Sequence, residues 1–460
     1  MSKKEFGDFQ TSLALVEQVL AALEADGTKW SRVLEPTCGR GNFIRGVLEL
    51  ERPPQEIIGI ELQDRYIQEA RKLNPPPGVR LNILNADIFT LDIGKDISWQ
   101  TRGPLLVIGN PPWVTNAEIG ALGGSNLPEK SNFKGRRGID AITGHANFDI
   151  AEFIWIKLIR ELATEEATIA LLCKTSVARN ILQYCHKVGF DIANATIRLI
   201  DAKRWFDAGV DACLFTLTLN SGSPSYEAKI FSSLSATTPK RQIGFAGHQL
   251  VSDITKYREL AFIDGKSPFE WRQGIKHDAA AVMELSCRDG VWRNGQDERV
   301  EVEDEYIYPL LKSSDLRSAS PTSLERAVIV PQTRVGQNTR QLETVAPRLW
   351  RYLTSHSDAF TARKSSIYKG KPPFSIFGIG DYSFAAYKVL ISGLYKKPHF
   401  IVIGPYNGKP VMCDDTCYLL PFESAVEAAI VACALNHPFS LQFIETIIFG
   451  TPNARLRNHY

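Results

Sequence analysis

Leu13, Leu15, Val16, Val19, Leu20 and Leu23 recur on one face at the spacing of an amphipathic helix. Short apolar runs then alternate with helical patterns: Val33-Leu34, Ile57 to Ile60, Val79 to Leu84, Leu105 to Gly109, Thr168 to Cys173, Ile197 to Ile200 and Cys213 to Leu219. Runs too short for helices, separated by helical segments, predict a mainly parallel sheet covered on both faces. The first half therefore reads as an α/β domain with about seven strands. The alternation ends at Asn220-Ser221-Gly222-Ser223-Pro224-Ser225, a polar turn-forming cluster. A boundary is expected there, dividing the chain into residues 1–220 and 221–460.

Composition adds limits. The chain has 460 residues, 44% hydrophobic and 23% charged, ample for two domains with sizeable cores. A net charge of +2 excludes nucleic-acid binding through overall charge, so any DNA affinity has to come from local clusters of Lys and Arg. The eight cysteines lie mostly inside apolar patterns without paired C-x-x-C spacing and read as reduced thiols. Cys413 and Cys417 flank two aspartates, but no matching second ligand pair follows and no metal is expected. No run approaches the ~18 apolar residues of a membrane span, and the first residues carry no signal-peptide core, so a cytoplasmic enzyme without membrane contact is expected.

Candidate chemistry centres on Asn110-Pro111-Pro112-Trp113, which ends the run Leu105 to Gly109. An Asn-Pro-Pro-aromatic turn at the end of a buried strand suits methyl transfer to an exocyclic amino nitrogen. The amino group of adenine or cytosine is a poor nucleophile, because its lone pair is delocalised into the ring. A site that accepts hydrogen bonds from both of its N–H groups draws the nitrogen toward a tetrahedral geometry. The Asn110 side-chain oxygen supplies one acceptor. Pro111 is ring-locked, so its carbonyl can be held rigidly as the second. Trp113 offers a flat face for a base taken out of its stack. The rate would come from positioning and preorganised dipoles rather than from a strong base. A proline turn with a merely packed Trp is the bland alternative.

Upstream, Ser31 to Phe43 reads as a short strand, a turn containing Gly39 and Gly41, and the start of a helix. The glycines allow close backbone approach to a ligand, at the carboxyl edge where open α/β sheets bind ligands. The pyrophosphate fingerprint is absent and an acid, Glu35, precedes the turn, so a cationic ligand is implied. The next strand ends at Glu61, whose carboxylate can accept from two ribose hydroxyls. The third leads to Asp87, which can accept from an adenine amino group. Three acidic strand ends followed by the Asn-Pro-Pro-Trp turn form one constellation.

The order and wording of these segments resemble the gamma class of amino (N6-adenine) DNA methyltransferases of restriction-modification systems, over the whole chain. The resemblance implies a Rossmann-like seven-stranded methyltransferase sheet, a C-terminal α+β, β-rich DNA-recognition domain, S-adenosyl-L-methionine as cofactor and double-stranded DNA as partner. It assigns Thr11 to the methionine part of the cofactor and Glu35 with Cys38 to Gly41 to the first strand-turn motif. Glu61, beside Leu62, takes the ribose, and Asp87 with Ile88 the adenine. Asn110 to Trp113 form the catalytic turn bordering the cofactor, and Phe206 is a second aromatic against the flipped base. Asn147 to Ile150 is similar to the helix start that follows the catalytic loop. In this family Asn at the first turn position favours adenine and Ser more often cytosine, while Trp113 is less typical than Tyr. N4-cytosine methylation, methylation of an RNA base or a glutamine side chain, and a non-catalytic DNA-specificity subunit are the other readings.

DNA contacts are expected from two regions. The aperiodic, Gly-rich stretch after the catalytic turn carries Lys130, Lys134, Arg136 and Arg137. Thr361 to Pro410 holds eight basic residues against one acid, interleaved with aromatics. Arg272, Lys276, Lys388, Lys396 and Lys397 are the C-terminal candidates, with lysines on phosphates and polar side chains on base edges. Trp271 to Lys276 and Tyr306 to Lys312 are similar to the framework of the recognition domain. Without a metal-dependent nuclease cluster, any cognate restriction endonuclease is expected on a separate chain.

Overall fold

The computed structural model describes residues 10–24, 29–114, 149–317, 325–393 and 398–449. Lys130, Lys134, Arg136, Arg137, Asn147, Lys396 and Lys397 lie outside them. The chain forms two compact units, Met1–Arg258 and Glu259–Tyr460.

In the first unit, helix α1 (Leu13–Glu24) precedes β1 (Arg32–Glu35), α2 (Asn42–Leu48), β2 (Glu56–Glu61), α3 (Asp64–Ala70), β3 (Arg80–Asn85), α4 (Ile93–Asp96) and β4 (Leu105–Gly109). After the turn that follows β4 come α5 (Ile150–Glu161), β5 (Ala167–Lys174), α6 (Thr175–Val188), β6 (Ile192–Ile200), α7 (Ala202–Phe206) and β7 (Ala212–Leu219). Their sheet order is β6-β7-β5-β4-β1-β2-β3, with β7 antiparallel to both neighbours and the others parallel. This is the expected seven-stranded methyltransferase sheet. β1 and β4 are buried at every residue, as strands at the centre of a sheet covered on both faces should be. The helical face read from sequence is also found: Leu15, Val16, Val19, Leu20 and Leu23 are buried on α1. This face meets α2 so closely that a Cβ on Gly46 would lie 2.5 Å from Val16 Cγ1.

The sheet continues past residue 220. β8 (Ala228–Phe231) pairs with β6, and β9 (Arg241–Ala246) and β10 (Gln249–Val251) extend the same edge. The cluster at 220–225 is thus a tight connection rather than a linker. The Asp191 carboxylate accepts from Gly222 N at 2.8 Å and Ser221 Oγ at 2.9 Å, and Asn220 and Gly222 take positive φ.

The second unit holds two sheets, both largely antiparallel. One runs β11 (Arg272–Gln273), β19 (Cys417–Phe422), β16 (Tyr387–Ser392), β17 (Ile401–Ile403). The other runs β13 (Val291–Asn294), β12 (Glu284–Arg288), β15 (Arg326–Ile329), β14 (Ile307–Leu311), β18 (Met412–Cys413). The segment after β11 is packed against backbone: a Cβ on Gly274 would sit 2.1 Å from Asp414 O, and one on Gly378 2.2 Å from Gly274 O. The backbone at Gly378 is therefore wedged against Gly274. All eight cysteines are free thiols, six of them buried. Among the described residues no helix is long and apolar enough to cross a membrane.

Candidate active site

Parallel β3, β2, β1 and β4 deliver their carboxyl ends side by side, and the chain reverses its winding between β1 and β4, where open α/β sheets bind ligands. The turn after β1 is tied to the end of β2: Cys38 N donates to Ile60 O at 2.8 Å and Gly39 N to Glu61 Oε2 at 2.8 Å. Glu61 Oε1 accepts from Leu62 N at 3.0 Å and Gln63 N at 2.8 Å. Three backbone donors thus fix the orientation of this carboxylate. Leu62 is 41% exposed beside it.

Gly41 takes a positive φ of 78°, and a Cβ there would meet Leu73 and Ala70 rather than a ligand. At Gly39, φ 53°, it would meet the Gln10 side-chain amide. Gly41 thus serves helix packing, whereas Gly39 lets the segment at residues 10–11 lie across the turn.

Glu35 is 2% exposed, and its Oε2 has no hydrogen-bond partner among the described residues. Burial pushes its carboxyl well above the usual range; the Ile44 N–H opposes this and the Glu61 charge adds to it. Burial likewise pushes the Cys38 thiol up, so it is no thiolate nucleophile. Asp87 Oδ1 accepts from Phe89 N at 2.9 Å, and Ile88 is buried beside it.

The Asn110 to Trp113 turn connects to this corner through Thr11. Asn110 Nδ2 donates to Thr11 Oγ1 at 3.2 Å, and Asn42 Nδ2, on α2, donates to Thr11 O at 2.7 Å. The turn after β1 and Asn110 are therefore linked by one buried threonine. Pro111 is buried and Pro112 half-buried. Trp113 is anchored by Nε1 donating to Leu172 O at 3.2 Å, and its ring meets Phe206 edge-on, centroids 4.9 Å apart and planes at 69°. Phe206 ends α7, whose cap is Asp201 accepting from Arg204 N.

Sequence reading missed the bracket that holds this turn. Ile150 N donates to Val114 O at 3.0 Å, and Asp149 caps α5 through Ala151 N while Lys174 Nζ reaches its other oxygen at 2.7 Å. Burial raises the Asp149 carboxyl despite that ion pair. The one local signal was a lysine ending the otherwise apolar run Thr168 to Cys173.

No family model matches the sequence. The type II methyltransferase M.NspV of Nostoc sp. (strain ATCC 29411 / PCC 7524) is 38% identical over 453 residues, 97% of this chain and 93% of that protein. The chain belongs to the type II methyltransferases of restriction-modification systems. A solved structure of the type IIL restriction-modification enzyme MmeI in complex with DNA overlays 94% of the methyltransferase at a TM-score of 0.52 and 11% identity. The chain spans 64% of that enzyme, and the likeness is one of fold. The family's cofactor is S-adenosyl-L-methionine.

In the second unit of the methyltransferase, the expected DNA-contacting cations are otherwise engaged. Lys388 is 1% exposed on a central strand, its Nζ donating to Ala385 O at 2.7 Å, and burial lowers its pKa. It cannot reach a phosphate, which corrects the sequence reading. Lys276 pairs with Asp278 at 2.8 Å and Asp415 at 3.0 Å, and these partners push its pKa up. Arg272 pairs with Glu270 at 2.5 Å and lies over the Tyr382 ring.

Proposed function

We propose that this methyltransferase transfers the methyl group of S-adenosyl-L-methionine to N6 of an adenine extruded from double-stranded DNA. The observation that carries the reading is the Asn110–Thr11–Asn42 link. With the Asn110 amide nitrogen committed to Thr11, Oδ1 is the acceptor end of the side chain, next to the cofactor turn. The donor set suits the cofactor. The buried Glu35 oxygen without a donor is what a cationic ligand would satisfy, Glu61 is held for ribose hydroxyls, and Asp87 Oδ2 accepts no hydrogen bond among the described residues.

Bound S-adenosyl-L-methionine supplies an electrophilic methyl group. Asn110 Oδ1 and the Pro111 carbonyl accept from the adenine amino group, and Trp113 carries the base, its ring backed edge-on by Phe206. The proton leaves for solvent after the nitrogen has become cationic, so no tuned base is needed. On this reading the second unit recognises the target sequence, Lys130, Lys134, Arg136 and Arg137 grip the duplex, a restriction endonuclease would be a separate chain, and the enzyme works in the cytoplasm.

Mass spectrometry of nucleosides from methylated duplex DNA tests the assignment. N6-methyladenine is expected, and N4-methylcytosine overturns the choice of base. Asn110→Ala should keep cofactor and DNA binding while transfer falls by orders of magnitude; retained turnover removes Asn110 from the mechanism.

A further inference from the structure

A cation already paired to a carboxylate releases few counterions on meeting a phosphate, so the cations able to hold DNA are those left without acid partners. In the second unit most are taken. Arg288 and Arg293 share Asp297, Arg299 pairs with Glu301, Lys312 with Glu284, Arg326 with Asp315, Arg348 with Glu303 and Lys409 with Asp304. Arg363 is spent on the carbonyls of Ser375 and His277 and on the Tyr368 ring. Among the Lys and Arg side chains described in this unit, Lys266, Arg363, Lys388 and six others have no ion pair; Lys388 is buried and Arg363 is spent as above, and the six all lie between 334 and 371. These are Arg334, Arg340, Arg351, Lys364, Lys369 and Lys371, all exposed.

They are distant in sequence but share a hub at residues 372–376. The Thr339 hydroxyl, next to Arg340, donates to Pro373 O, two residues after Lys371. The Phe374 ring meets Trp350, the neighbour of Arg351, and Phe360, four residues before Lys364, edge-on at 5.4 and 5.0 Å. Gln332, 2% exposed, is fully engaged: Nε2 donates to Ile376 O at 3.1 Å and Arg334 O at 2.9 Å, and Oε1 accepts from Ile376 N at 3.1 Å. A second brace runs from Gln337 Oε1, which accepts from Thr333 N and Oγ1. Between them Arg334 to Gln337 form a turn with Gly336 at φ 82° and Gln337 N donating to Arg334 O. The positive φ at the third position is the type II signature. The tip carries exposed Arg334 and Val335.

We propose that this face binds duplex DNA, with Arg340, Arg351, Lys364, Lys369 and Lys371 on phosphates and the braced tip Arg334-Val335 reading base edges in the major groove. The tip's chemistry fits that task. A guanidinium matches guanine O6 and N7, a branched methyl packs on the thymine methyl, and a turn rigid before binding loses little entropy on docking. The inference deepens the DNA-methyltransferase reading and replaces Lys388, Arg272 and Lys276 as the contacts of this unit.

The test uses the full chain and a mixed-sequence duplex followed by fluorescence anisotropy across salt concentrations. Lys364→Ala/Lys369→Ala/Lys371→Ala should lower the slope of log K against log salt by ~2–3, at ~0.9 per lost phosphate contact. Arg299→Ala, an exposed but acid-paired control, and Lys388→Met should leave the slope unchanged. Arg334→Ala should leave the slope within about one unit and relax one position of the modified sequence, read by sequencing methylated plasmid DNA. An unchanged slope in the triple variant, with its thermal unfolding unaltered, overturns the face. A modified sequence identical to wild type in Arg334→Ala overturns the tip. Wild-type protein that fails to bind duplex at all overturns the underlying DNA reading, a result distinct from either.

Discussion

Thr11→Val isolates the link between the turn after β1 and Asn110, the proposed catalytic residue. Valine keeps the branched shape and replaces only the hydroxyl, so the Asn42 bond to the Thr11 carbonyl persists while Asn110 Nδ2 loses this acceptor. Thr11 is 6% exposed, so water cannot readily replace it. Depriving a buried amide donor of its partner costs ~1–3 kcal/mol. At ~1.4 kcal/mol per decade of rate, the loss corresponds to roughly 5- to 150-fold. The loss belongs in kcat, because what is disturbed is the direction in which Asn110 Oδ1 faces the amine. Single-turnover transfer of radiolabelled methyl groups, with duplex affinity measured in parallel, separates chemistry from binding. Thr11→Ser, which retains the oxygen, should recover most of the rate. A Thr11→Val enzyme with kcat within twofold of wild type and unchanged thermal stability would refute the claim that Thr11 orients Asn110.

Two further outcomes concern the second unit. Burial pushes the Glu284 carboxyl up, but bonds from His277 and from Lys312 at 2.6 Å outweigh it, leaving its pKa below the ordinary value. Its stabilisation is therefore present above the unfolded carboxylate value of ~4.3 and lost as pH falls through the folded one; urea unfolding between pH 7 and 3 should show a shallower acid limb in Glu284→Gln, and identical limbs would contradict this. Gly274→Ala drives a Cβ to 2.1 Å from Asp414 O and 2.4 Å from Cys413 O, backbone atoms that cannot swing aside. A loss of ~3 kcal/mol or more is expected in chemical denaturation, and a wild-type midpoint would show that this packing is loose.

The sheet of the first unit was legible because its pattern is written locally. A strand end and the few residues after it decide where Glu35, Glu61, Asp87 and Asn110 stand once the strands lie parallel, and apolar runs separated by helices leave few other arrangements. What escaped depends on distant pairings. Thr11 and Asn110 are 99 positions apart, and no short motif announces Lys174 meeting Asp149. The cations of the second unit failed for a different reason: counting charge along the chain ignores where each side chain faces. Lys388 sits between Tyr387 and Val389 in a strand whose middle four residues are all buried, and an apolar flank on both sides was the available sign that its charge would be hidden. The turn cluster at 220–225 was read as a linker because Gly, Ser and Pro mark both hinges and tight corners, and only Asp191 across the sheet distinguishes them.

That corner has a practical corollary for anyone dissecting or recombining this enzyme. A fragment cut at 220 would strip β8 from β6 and bare the backbone of Ala195 to Arg198, creating an open border of the kind that recruits stray strands and precipitates. Chimaeras that exchange the second unit should therefore be spliced after Arg258, where the first unit keeps its selvedge intact.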